Sequence, residues 1–224
     1  NAFGTTTSAV ASLSIDGVGG FSWGALWRDV YTGISGSSVA DLTGNANYPV
    51  FPDAGSAVEN GEAPQSYGDN YGQRIGGWIT PPETGDYVFY LSSDDSSELW
   101  LSTDATRANR QLIVSLNGYR SFRQWSSAPT SASISLTSGQ RYYVEVLHKE
   151  GGGGDHCSFT WDWQSAGVWA APTDLDVPLP GAVLEYQVGG TTSDVIEPPA
   201  NYAPMADSQN LLVYGGSALA VTLT

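Results

Sequence analysis

The sequence predicts an all-β protein, a sandwich or barrel of antiparallel strands joined by long loops. Three observations carry that expectation. Runs rich in aromatic and β-branched residues recur at short intervals, bounded by Gly, Pro, Asn and Ser. No segment sustains the apolar spacing of an amphipathic helix. Eight Trp, twelve Tyr and six Phe are many for 224 residues, and such rings fill a sandwich core well.

The elements follow in order. Residues 1–20 are small and polar, alternate briefly at Leu13 and Ile15, and read as a lead-in segment or an edge strand. Gly24 to Ile34 is a strand entering a glycine turn, and Val39-Ala40-Asp41-Leu42-Thr43 reads as one short helical turn. Asn45 to Gly61, rich in Asn, Pro and Gly, reads as a long surface loop. Tyr71 to Thr80 is a strand, Pro81 to Asp86 a turn, and Tyr87-Val88-Phe89-Tyr90-Leu91 a strand again. Asp104 to Arg110 is polar and reads as a loop, and Ser133 to Leu136 alternates strictly. Arg141 to His148 has β-formers at most positions and is the strongest strand of the chain. Cys157 to Trp163 and Val183 to Tyr186 complete a domain over residues 21–190. Residues 191–204 are polar and Pro-bearing and read as a linker. Residues 205–224 alternate again and read as the opening of a following β module.

Charge narrows the function. Lys and Arg total 8 against 23 Asp and Glu, a net charge of -15. So acidic a chain repels phosphate backbones and anionic lipid, which argues against nucleic acid as a partner. It suits divalent cations and neutral ligands. No run approaches the ~20 apolar residues of a membrane-spanning helix. Cys157 is the sole cysteine, so no disulfide forms within the chain, and its place at the start of a strand reads as core packing.

Two stretches carry chemistry. The first is Ser92-Ser93-Asp94-Asp95-Ser96-Ser97-Glu98, an acidic turn between apolar runs. Adjacent carboxylates repel, and are stable either fully solvated or with a cation between them. A hard divalent ion, calcium above all, suits oxygen donors. The second is Glu150-Gly151-Gly152-Gly153-Gly154-Asp155-His156, where side-chain-free backbone exposes carbonyls between two acids. By itself the glycine run reads as a flexible hairpin loop. Calcium takes roughly 6–8 oxygens, so Asp94, Asp95, Asp155 and two glycine carbonyls would leave room for water or for a ligand's hydroxyls. Tyr119 and Trp125, in a Gly- and Ser-rich region, are candidate sugar platforms, whereas Trp100, between Leu99 and Leu101, reads as core.

Gly85-Asp86-Tyr87-Val88-Phe89-Tyr90-Leu91-Ser92-Ser93-Asp94-Asp95, with Leu147-His148-Lys149-Glu150 and the glycine run to Asp155, resembles the PA-14 domain. That β-sandwich is named for the anthrax protective antigen and occurs in adhesins, glycosidases and flocculins. The resemblance covers about residues 20–170 and is nearest to the bacterial adhesin branch. It implies a cis peptide between Asp94 and Asp95 and a calcium ion held by Asp94, Asp95, Gly152, Gly153 and Asp155. Together with the candidate platforms Tyr119 and Trp125, the ligand contacts expected are Asp94, Asp95, Asp155 and His156. The resemblance also implies that the module opening at residues 205–224 is a cadherin- or immunoglobulin-like repeat. The expected partners are surface glycans or polysaccharides with vicinal hydroxyls, such as fucose, mannose, glucose or N-acetylglucosamine. The implied role is a monomeric, calcium-dependent lectin module of a large exported adhesin, at the bacterial surface, in adhesion and biofilm formation. The alternatives are an accessory domain of a glycoside hydrolase and a calcium-stiffened spacer. Catalysis is not expected. Glycoside hydrolysis needs two carboxyls facing each other at roughly 5–9 Å across the bond, and adjacent aspartates are poorly placed for that.

Overall fold

The computed structural model describes residues 21–163 and 171–187. The expected lead-in, linker and following repeat lie outside the described residues. Eleven strands and one short helix are described: β1 (Phe21–Trp23), β2 (Leu26–Thr32), α1 (Val39–Thr43), β3 (Ala54–Val58), β4 (Tyr71–Ile79), β5 (Gly85–Asp94), β6 (Ser96–Ser102), β7 (Arg110–Leu116), β8 (Ile134–Leu136), β9 (Tyr142–Glu150), β10 (His156–Trp163) and β11 (Leu184–Gln187). All the pairings are antiparallel.

One sheet runs β1-β11-β4-β9-β6-β7, with β2 on the same edge of β4 as β11 and β3 outside β2. The other sheet is β10-β5-β8. Their facing sides make the main core. Tyr142, Val144 and Val146 of β9, Leu99 and Leu101 of β6, and Ile75 of β4 meet Tyr87, Phe89 and Leu91 of β5 and Phe159 of β10. Burying an aromatic such as Phe89 contributes about 1.5–3 kcal/mol. Cys157 packs in this core, and burial pushes its thiol pKa up, as an inert core residue requires.

The outer face of the large sheet is covered at one place by α1. Ser38 caps the helix, and its hydroxyl and Asp41 bond reciprocally. Val39 and Leu42 pack onto Tyr31 and Leu147 in a second apolar cluster, with Trp100 against it. A Cβ at Gly72 would lie 2.6 Å from Leu42 Cδ1, so glycine lets the helix settle there without displacing Leu42. With both of its faces covered, every residue of β9 is buried.

The segment read as a loop over Asn45 to Gly61 contains β3. Its Ala-Gly-Ser composition gives no strand signal, and β2 templates it through backbone pairing. β7, which the sequence reading did not single out, pairs with β6 across a bulge at Leu99/Trp100.

Candidate cation and ligand site

The two chemistry-bearing stretches lie side by side because both are sheet-to-sheet crossovers at one end of the sandwich. β5 in the small sheet passes through Asp95 into β6 of the large sheet, and β9 of the large sheet passes through the glycine run into β10 of the small sheet. The strands on either side pair with each other, His156 opposite Asp94 and Lys149 opposite Ser96. The glycine run is therefore no hairpin loop. Strand pairing on both sides fixes its ends.

Asp94 and Asp95 are joined by a cis peptide bond. The two polar atoms of that peptide unit are held by side chains of β9. His148 Nε2 lies 2.8 Å from the Asp94 carbonyl oxygen, and the Asp95 N–H donates to Glu150 Oε2 at 3.0 Å. The Gly151 N–H donates to Asp95 Oδ2 at 3.0 Å, and the Ser93 hydroxyl donates to the Asp95 carbonyl at 2.7 Å. Asp94, Asp95 and Glu150 each offer an oxygen within 4.8 Å of the others.

Glu150 decides what this cluster can do. It is fully buried, and its Oε1 has no hydrogen-bond partner. Burial, then the Asp95 and Asp94 carboxylates, push its pKa up to about 7. Burial and the neighbouring Asp95 also raise the pKa of Asp94. An unpaired buried acceptor facing two more carboxylates is costly unless a cation joins it. A hard cation with oxygen ligands fits this donor set, and Asp94, Asp95 and Glu150 would hold it. Lys149 approaches from behind, its Nζ donating to the carbonyls of Gly36 and Glu150, and so ties residues 36–38 to the same corner.

The remaining expected site residues fall in different places. Asp155 is 5% exposed, and its two oxygens accept from the N–H groups of Tyr67 and Gly68 at 3.0 and 2.9 Å. It braces the 66–68 loop and stands outside the three-carboxylate cluster. The Gly153 N–H donates to Asp69, and Gly152 lies beside the same aspartate. His156 is buried with Nε2 at 2.9 Å from the Arg120 carbonyl, and its Nδ1 has no partner. Trp125 must be corrected: it is 1% exposed, its indole N–H donates to the Asp176 carbonyl, and no face remains for a ligand. Tyr119 is 67% exposed, on a loop pinned to the site at both neighbours. Gly118 N–H donates to Ser96 Oγ, and Arg120 N–H donates to the Ser93 carbonyl.

The sequence reading noted Glu150 only as a flank of the glycine run and did not count it among the ligands. The signal was its phase: Tyr142, Val144, Val146, His148 and Glu150 share one face of β9, so the acid points inward.

Comparison with known proteins agrees with this architecture. The sequence profile of the PA14 domain matches residues 36–174. The mouse (Mus musculus) protein N-acetyl-beta-glucosaminyl-glycoprotein 4-beta-N-acetylgalactosaminyltransferase 1 is 34% identical over 135 residues, 56% of this chain and 13% of that protein. Mouse fibrocystin-L is 29% identical over 82 residues, 37% of this chain and 2% of that protein. This chain therefore corresponds to only a small part of either relative. Among solved structures, the PA14 domain of the MpAFP antifreeze protein superposes with a TM-score of 0.52 at 15% identity, covering 83% of this chain and 96% of that one. The matched residues span more than half of the sequence and include both crossovers, and the chain belongs to the PA14 domain family.

Proposed function

We propose that this domain is a calcium-dependent carbohydrate-binding module rather than an enzyme. The observation that carries the reading is the buried Glu150 carboxylate, clustered with those of Asp94 and Asp95 and with its Oε1 unpartnered. Calcium there would relieve the repulsion and leave coordination positions for a glycan's vicinal hydroxyls. Tyr119 supports the reading, since it offers a ring at the rim from an anchored loop. The mouse relative is named for acting on N-acetylglucosaminyl-glycoproteins, which favours a glycan partner. Neutral sugars suit a chain of net charge -15 better than anionic ones. The carboxylates share one corner instead of facing each other across a groove, which supports binding over hydrolysis. In this reading the domain is displayed outside a bacterial cell as part of a longer adhesin and serves attachment and biofilm formation. Among the described residues no helix is long and apolar enough to cross a membrane.

The test is a glycan array run with calcium and with chelator, on wild type and Asp95→Ala. Binding by wild type that disappears with chelator and in the variant supports the reading. Chelator-resistant binding rejects the metal bridge. Calcium binding without any glycan signal points to a stiffened spacer, and turnover of a glycan points to an enzyme.

A further inference from the structure

Behind the acidic corner runs a line of buried polar side chains that the proposed function does not use. Arg28 on β2, Gln73 on β4 and His148 on β9 all face the core side of the large sheet and are almost wholly buried. Gln73 and His148 are direct cross-strand partners. Arg28 Nε donates to Gln73 Oε1, Gln73 Nε2 lies 2.7 Å from His148 Nδ1, and His148 Nε2 lies 2.8 Å from the Asp94 carbonyl oxygen.

The chain of bonds has only one consistent direction. A guanidinium only donates, so Gln73 must present its carbonyl oxygen to Arg28 and its amide N–H to the imidazole. His148 Nδ1 then accepts, and the ring proton sits on Nε2. At the other end the Asp94 carbonyl only accepts, which requires the same Nε2–H. The two ends agree without further assumption.

We infer that Arg28, Gln73 and His148 are positioning residues that lock a neutral Nε2–H imidazole onto the peptide joining the two aspartates. Together with Glu150 they make β9 a two-point clamp on that peptide. His148 holds its carbonyl, Glu150 holds its N–H, and the two carboxylates it carries are thereby kept within reach of the Glu150 carboxylate. The role rests on the cation reading above. Outer-shell partners of this kind typically change metal affinity by about 10–100-fold. The chain of bonds crosses three strands, and in it the arginine fixes which way the glutamine faces.

Two measurements on the full chain test the inference. In the wild type without metal, long-range proton–nitrogen correlation spectra should show His148 protonated at Nε2 only. Calcium titration by calorimetry should then show Gln73→Leu, a change of similar volume, weakening calcium by about tenfold or more. Cooperative melting in chelator would establish that the variant is folded. A wild-type imidazole protonated at Nδ1 overturns the relay. A folded Gln73→Leu that binds calcium as tightly as wild type overturns the positioning role. If Gln73→Leu does not fold, the tautomer and calcium affinity of Arg28→Lys, which keeps a donor but loses the fork, decide in its place. Wild type that binds no calcium would sink the functional reading, while the tautomer would still report on the relay.

Discussion

Glu145 and Glu150 lie on the same strand, both fully buried, in a chain that is acidic overall. Their surroundings could hardly differ more. Glu145 points to the outer face. There Arg107 binds it through Nε at 2.7 Å and Nη2 at 3.2 Å, Arg110 Nε lies at 3.1 Å, and the Tyr143 hydroxyl donates at 3.0 Å. Glu150 points to the core side, where its carboxylate clusters with two more carboxylates and one of its oxygens has no partner. A buried acid satisfied by two arginines is part of the scaffold. A buried acid left among like charges waits for something to arrive. Burial alone distinguishes nothing; partners do.

The comparison is broken most severely at Glu145. Glu145→Ala should cost about 2–4 kcal/mol of folding stability, discounted because Arg110 is partly solvated, and leave calcium affinity unchanged. Denaturant titration and calorimetry separate the two effects, and a loss of calcium binding in a folded variant would merge two sites that we hold distinct. Asp95→Ala should do the converse. Calcium affinity should fall about a hundredfold, ~2.7 kcal/mol, with little change in the midpoint measured in chelator.

Glu150→Gln sharpens the contrast through its sign. It keeps an acceptor for the Asp95 N–H and removes a repelled charge. Without metal the variant should melt higher than wild type, by about 1 kcal/mol or roughly 2–4 °C at neutral pH, yet bind calcium more weakly. The pH dependence follows from the raised pKa. Below the ordinary value of 4.5 the acid is protonated both folded and unfolded, and the two proteins should melt alike in chelator. As pH rises through about 7 the folded wild type must carry the charge, and the advantage of the variant should grow across that window. A constant difference across pH would mean that Glu150 is not the group responsible. His148 has the opposite sense. Burial pulls it down to about 4, so its contribution is lost as pH falls, which is why the variant must be compared with wild type at each pH.

The smallest effect is expected at the rim. Tyr119→Ala should weaken glycan binding by about 1 kcal/mol, roughly fivefold, without touching calcium affinity or folding. An unchanged glycan affinity would remove Tyr119 from the ligand surface.

Much of this was legible in the residues themselves. The strand from Tyr142 shows in its β-branched and aromatic content, and the acidic pair and glycine run in their composition. What could not be read was which sheet each strand joins. A strand–turn–strand pattern looks the same whether the turn closes a hairpin or crosses between layers, and here the difference brings Glu150 to Asp94. Trp125 misled for a related reason: its sequence neighbours are small and polar, but residues 174–176, distant in the chain, close over it. Arg28, Gln73 and His148 lie in strands the sequence predicts, but the strand order that lines them up was not legible.

One consequence of the paired crossovers concerns mechanics. Each ties a strand of one layer to a strand of the other, so an ion gripped by both would act as a rivet through the sandwich at that end alone. Amide exchange in β5 and β9 should then slow near Asp94 and Glu150 when calcium is added and stay unaltered at Gly85 and Tyr142. Under load, the same fastening would decide which end of the domain gapes first.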